Sequence, residues 1–183
     1  DAEDMERMKA LPIDLHPELA QSVRLFLFSY YARGMNFRDA AHLKRSDIYN
    51  GAVHYSRKKT GKAFTIPVSP ALAAILDAFG ANPGGYVFPV LSPVHSTDKQ
   101  QWYRIQKCLK KVNSDLKQAG EFAGVEASLT SYVARHTYAN KQRKSGVGID
   151  RISELMGHGS VAVTRHYVNS FSNDELDETD KNL

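Results

Sequence analysis

Cysteine is almost absent from this chain: Cys108 is the only one in 183 residues. A single thiol excludes an internal disulfide framework and sets the expectation of a reducing, cytoplasmic setting. Long apolar runs are missing too. The longest, LFLFSYYA over 25–32, is bounded by Arg24 and Arg33 and falls well short of the roughly 20 residues that a membrane span takes. Nothing at the start reads as a signal peptide. The chain opens on Asp1 instead of Met, which raises the expectation that it is part of something longer. Seven histidines are present, but neither a His-Glu-x-x-His pair nor paired cysteines, which argues against a zinc hydrolase. There is no internal repeat and no interdomain linker.

What the chain does have is an uneven charge. The formal net charge is +4, yet residues 174–183, DELDETDKNL, hold five acids against one lysine, so the rest of the chain carries +8. A basic body with an acidic tail suits a polyanionic partner, because each Lys or Arg set on a phosphate releases condensed counterions. With 42% hydrophobic residues the chain can bury one ordinary core. The expected organisation is a domain over 1–168 followed by an acidic tail, 169–183.

Periodicity predicts a mostly helical protein. DAEDMERMKALP is a short helix stopped before Pro12, and HPELAQSVRLFLFSYYARG a strong one with Pro17 in its first turn and Gly34 at its exit. FRDAAHL is brief. SDIYNGAVHYSRKKTGKAFTIPVS then switches to alternation, with Asn50-Gly51 and Thr60-Gly61 as turns, and predicts three antiparallel strands. Ser69 caps the next helix. ANPGGYVFPVLSPVHST reads as a mobile Pro/Gly-rich loop, and DKQQWYRIQKCLKKVNSDLKQAG as a long amphipathic helix with Trp102 as a core anchor. SYVARHTYANKQRKSG, GIDRISELMG and SVAVTRHYV are three more helices. The fold class is mainly α with a small three-stranded antiparallel sheet (α+β).

Four stretches carry more than fold. TSYVARHTYA and then ISELMGHGSVAVTRHYV near the C-terminus, with RGMNFRDAAHLKRSDI and RKKTGKAFTIPV upstream, resemble, in order, the active-site motifs of the tyrosine recombinase (phage integrase) family. The wording is most similar to integrases of conjugative elements. The resemblance covers nearly the whole chain and implies the tyrosine recombinase catalytic-domain fold. It also implies a site-specific recombinase or integrase that breaks and rejoins DNA through a 3′-phosphotyrosyl intermediate. No metal or nucleotide cofactor is implied. Double-stranded DNA and a homo-oligomer, a tetramer on DNA, are the implied partners. The tail would pack on a neighbouring protomer, and a DNA-binding domain would precede this one.

The residue chemistry fits that reading. Tyr167 is the candidate nucleophile, although by itself it reads equally as a packed aromatic; Arg165 and His166 beside it argue for a wet surface. A free tyrosine has a pKa near 10, so ionising it at pH 7 costs about 4 kcal/mol, which neighbouring positive charge must offset. Arg135, near the start of a helix capped by Thr130 or Ser131, can hold two phosphate oxygens at once. Tyr132, one turn back, stands where the family more often has histidine, which weakens the assignment of a general base there. His136 reads as a packing or capping residue. His158, between two glycines that let backbone approach a ligand, is placed to donate to phosphate. Lys59 at a hairpin tip is the candidate acid for the leaving 5′-oxygen, with Lys58 and Lys62 as alternatives.

Asn36 falls where the family's first catalytic arginine belongs, so one of two expected guanidinium groups is missing. Arg38, two residues along the helix, points away, and Arg33, at the end of the preceding helix, is free to snorkel to solvent. Arg24, set among apolar neighbours, either fills the gap or lies on an exposed stripe. Backbone contacts to DNA are expected from Lys58, Lys62, Arg165, Arg104 and Lys107, with Lys110 and Lys111 along the same helix. Two other readings stay open: a DNA-binding regulatory domain with impaired catalysis, and a type IB topoisomerase-like enzyme that reseals the same strand.

Overall fold

The computed structural model describes residues 2–168, and the acidic segment 169–183 lies outside them. Helix α1 (Ala2–Ala10) ends before Pro12, as the sequence required. Helix α2 spans Ala20–Tyr31. It starts later than expected, because residues 17–19 form a separate turn and leave Pro17 outside the helix. Helix α3 (Phe37–His42) is capped by Asn36, whose side-chain oxygen accepts the Asp39 N–H.

Strands β1 (Ile48–Tyr49), β2 (Ala52–Ser56) and β3 (Ala63–Pro67) form the expected antiparallel meander in the order β1-β2-β3. Asn50 and Gly51 both take positive φ (51° and 70°), the geometry a two-residue primed turn demands. Helix α4 (Pro70–Asp77) carries the expected Ser69 cap, and the 25-residue α5 (Asp98–Phe122) opens with a Thr97/Gln100 capping box. Helices α6 (Ser131–Lys144), α7 (Ile149–Met156) and α8 (Val161–Arg165) close the described chain.

Helix α2 packs against α4, α5 and α6 at once, which is why it is apolar nearly all round. Val23, Phe26 and Phe28 are fully buried on it, with Phe28 edge-on to Phe88. That second ring corrects one expectation. The segment 81–97 does not ride free over the surface: Val87, Phe88, Val90 and Leu91 are core residues, and the Asn82 amide donates to the Phe79 and Val87 carbonyls. Trp102 is a second correction. It is 52% exposed, because the first turn of α5 projects past the core and burial on that helix begins at Ile105. No described helix is long and apolar enough to cross a membrane.

Candidate active site

A small second cluster of buried residues, Ala139, Ile152, Met156 and Tyr167, sits where α6, α7 and the turn after α8 meet. Its polar rim holds the predicted site. Arg135, 3% exposed, lies one turn into α6. That helix start is held by Asn113 of α5, which accepts the Ser131 N–H; the Thr130 hydroxyl, expected to cap, makes no cap bond. The Arg135 guanidinium donates to the Gly34 carbonyl, to the Met156 carbonyl at 2.8 Å and to His158 Nε2 at 2.5 Å. Gly34 is required there, since a Cβ at its +69° φ would press on the Arg135 stem.

His158 is fixed from both sides. Nε2 accepts from Arg135, so Nδ1 carries the proton and donates to Thr164 Oγ1 at 2.8 Å. Burial, and then the charges of Arg135 and Arg57, push its pKa down to about 4. It is therefore a neutral imidazole at pH 7. Of the two glycines beside it, Gly159 is open, with nothing within 4 Å of where a side chain would start, and only Gly157 departs from expectation. Gly157 ends α7 in the left-handed conformation with the Phe64 ring of β3 against its Cα, so what approaches closely is the sheet and not a ligand.

Tyr167 follows α8 and is 8% exposed, which overturns the wet surface inferred from its neighbours. Arg165 and His166 are exposed, but Tyr167 packs into the cluster with Ala139, Ile152 and Met156, and its N–H is tied to the Thr164 carbonyl at 2.9 Å. Its ring stacks on His158 at 4.7 Å, lies 4.7 Å from the His136 ring, and has the Arg135 guanidinium carbon 5.3 Å from its centroid. Its hydroxyl is hydrogen-bonded to that of Tyr132. Burial and this bond push the Tyr132 pKa up to about 12, so Tyr132 stays protonated at neutral pH. His136, expected only to pack, does pack, but against the candidate nucleophile; burial lowers its pKa.

The other candidates lie further out. Lys58, Lys59 and Lys62 are exposed on the β2–β3 hairpin, and no hydrogen bond or ion pair ties the Lys59 side chain to a described residue. Arg24 is half-buried on α2 and likewise has no hydrogen bond or ion pair among the described residues. Lys107, Lys110 and Lys111 are exposed along α5, whereas Arg104 donates to the Val90 carbonyl and Lys111 pairs with Asp115.

Sequence reasoning missed Arg57. It sits at the start of the hairpin turn, and its side chain donates to the Met156 and Gly157 carbonyls, next to Arg135. Alternation along VHYSRKK put it on the face of Val53 and Tyr55; only the tertiary fold says that this face meets the end of α7. It also missed Asp39, 4% exposed, whose carboxylate accepts from the Asn36 amide and from the Lys58 N–H and so ties α3 to the hairpin. No group of three or more His, Cys, Asp or Glu among the described residues is arranged to hold a metal ion.

A buried arginine, a neutral histidine and a tyrosine hydroxyl converging beside a basic hairpin define a class, the tyrosine recombinases. Residues 2–174 match the Phage integrase family, and the chain belongs to that family. It is 29% identical over 167 residues to tyrosine recombinase XerA of Pyrococcus furiosus, covering 88% of this chain and 54% of the relative. It is 24% identical over 134 residues to the integrase of Escherichia phage P2, covering 73% and 34%. Among solved structures it superposes on XerA recombinase with a TM-score of 0.67 at 17% identity, covering 98% of this chain and 61% of that one. A lambda integrase tetramer bound to a Holliday junction gives 0.63 at 16%, covering 92% and 47%. The Tn1549 transposon integrase in complex with circular intermediate DNA gives 0.58 at 15%, covering 100% and 65%. The chain spans about half the length of the P. furiosus relative.

Proposed function

We propose that this chain is the catalytic part of a site-specific DNA recombinase or integrase acting in the cytoplasm. The observation that carries the proposal is the convergence of Tyr167, Arg135 and His158 within one protomer. In the reaction Tyr167 gives up its phenolic proton to solvent, its oxygen attacks a backbone phosphorus, a tyrosyl O–P bond forms and the P–O5′ bond breaks. The 5′-oxygen leaves with a proton, for which Lys59 on the exposed hairpin is the donor we assign. A 5′-hydroxyl of a partner strand then attacks the phosphotyrosyl link and releases Tyr167. Bond energy is conserved at each step, so no cofactor is called for.

Arg135 meets the charge that develops on the phosphate oxygens. His158 reaches phosphate from Nε2 once that nitrogen carries the proton. Thr164 permits the switch, because its hydroxyl can donate to Nδ1 as readily as accept from it. Double-stranded DNA as substrate, assembly of several copies on it, and docking of the 169–183 tail on a neighbour belong to the same proposal, as does a DNA-binding domain preceding this one. Relatives described as bound to core sites and Holliday junctions support it.

One observation favours a second reading. Asn36 spends its side chain on capping α3, so the first arginine is replaced by a structural device. A regulatory DNA-binding domain would tolerate that. A duplex nicked just past the cleavage point separates the two: the enzyme accumulates a covalent protein–DNA adduct and Tyr167→Phe does not, whereas a binder only retards the DNA. Relaxation of supercoiled plasmid by the chain alone would move the assignment to a topoisomerase-like enzyme.

A further inference from the structure

Asn36 leaves the site one cation short, and the structure holds another guanidinium beside Arg135. We propose that Arg57 grips the scissile phosphate together with Arg135, doing from the hairpin what an arginine at position 36 would have done. The inference rests on the Tyr167 chemistry proposed above.

The placement of Arg57 is built, not incidental. Its N–H donates to the Lys62 carbonyl at 2.9 Å, and its own carbonyl accepts from Gly61 at 2.8 Å. The next residue, Lys58, donates its N–H to buried Asp39 at 2.9 Å. Asp39 in turn holds Asn36, so the residue that displaced the arginine is wired to the hairpin that carries Arg57. From there the side chain crosses to the C-terminal carbonyls of α7. It shares the Met156 carbonyl with Arg135 (3.2 Å and 2.8 Å, hence at most about 6 Å between the two donating nitrogens).

Two like charges this close repel: burial first, and then the Arg57 charge, lower the Arg135 pKa. The negative end of α7 offsets part of that. No carboxylate does: neither guanidinium forms an ion pair with a described residue, and the Asp39 oxygens are occupied by Lys58 and Asn36. In both arginines the Nε–H is buried without a hydrogen-bond partner. Buried N–H groups are rarely left that way, and here both belong to guanidinium groups that share the Met156 carbonyl. What fits is an anion with two acceptor oxygens, which is the description of a phosphodiester. Arg24, Arg33 and Arg38 make no hydrogen bond to the carbonyls that hold Arg135.

The test is single-turnover cleavage by the full chain on nicked duplexes carrying, at the scissile position, either a phosphodiester or a neutral methylphosphonate. Arg57→Ala and Arg57→Gln should slow adduct formation on the phosphodiester by roughly 10²–10³-fold, the usual effect of removing one charge-stabilising donor. Most of that loss should disappear on the methylphosphonate, where there is no anionic oxygen to stabilise. Rates within threefold of the parent on the phosphodiester would overturn the proposal. So would equal losses on both substrates, since misfolding or misplacement of the hairpin produces that pattern, and so would a methylphosphonate rescue seen for Arg24→Ala instead. If the unsubstituted chain forms no adduct at all, it is the Tyr167 reading that fails; a normal adduct with unaffected Arg57 variants fails this inference alone.

Discussion

The hydroxyl groups of Tyr132 and Tyr167 are hydrogen-bonded to each other, one from the first turn of α6 and the other from the turn after α8. With its pKa pushed up to about 12, Tyr132 keeps its proton through the neutral range and has a hydrogen to donate in that pair, although either hydroxyl can be the donor. A histidine at this position would serve as a base; in the proposed reaction a protonated phenol instead steadies the Tyr167 oxygen as negative charge grows on it. Tyr132→Phe should therefore slow covalent adduct formation by about ten- to a hundredfold, the worth of a hydrogen bond to a charged group. Its melting temperature should stay unchanged, because the ring is half exposed.

His158 should titrate near pH 4 in the free protein, far below an ordinary imidazole. The sign follows from which state binds the proton first. Between about pH 6.5 and 4 the unfolded chain is protonated at this position and the folded one is not. The stability contributed by neutral His158 is thus complete above pH 6.5 and drains away as the pH falls toward 4, with His136 adding in the same direction. A ring-proton NMR titration checks the midpoint, and bound DNA should raise it, since a phosphate partly cancels the Arg135 and Arg57 charges.

Gly157→Ala should destabilise the domain by about 2–5 kcal/mol, combining a left-handed alanine with overpacking against Phe64. Urea unfolding reads this directly. Phe64→Ala in the same chain should return the overpacking part and leave the backbone part.

Lys58→Ala and Lys62→Ala should weaken DNA binding by similar factors across unrelated sequences. Each substitution removes one cation from a backbone phosphate and should make the salt slope shallower by about 0.9. Lys59→Ala should leave affinity nearly intact and slow strand cleavage; a substrate with a 5′-phosphorothiolate leaving group, which needs no proton, should recover the rate.

The parts of this molecule written in local pattern were legible before the fold was known. Turn residues set the meander at Asn50-Gly51, and the motif around His158 and Tyr167 named residues that the fold brings together. What the pattern could not carry was direction across long separations. Tyr167 looked exposed because its neighbours are polar, yet its ring packs with Ala139, Ile152 and Met156 from two other helices. The pattern does not single out Arg57, because only the fold brings the carbonyls of α7, about a hundred residues later, alongside it. Composition misled at 81–97, where Gly and Pro suggested mobility but Val87, Phe88, Val90 and Leu91 are drawn into the core.

The central claim is that one phenolic oxygen becomes joined to DNA, and two tyrosine hydroxyls meet at the site. Digesting the trapped adduct and locating the nucleotide-bearing peptide by mass spectrometry decides between them. The modification is expected on Tyr167; its presence on Tyr132, or on any other residue, would contradict the proposed reaction.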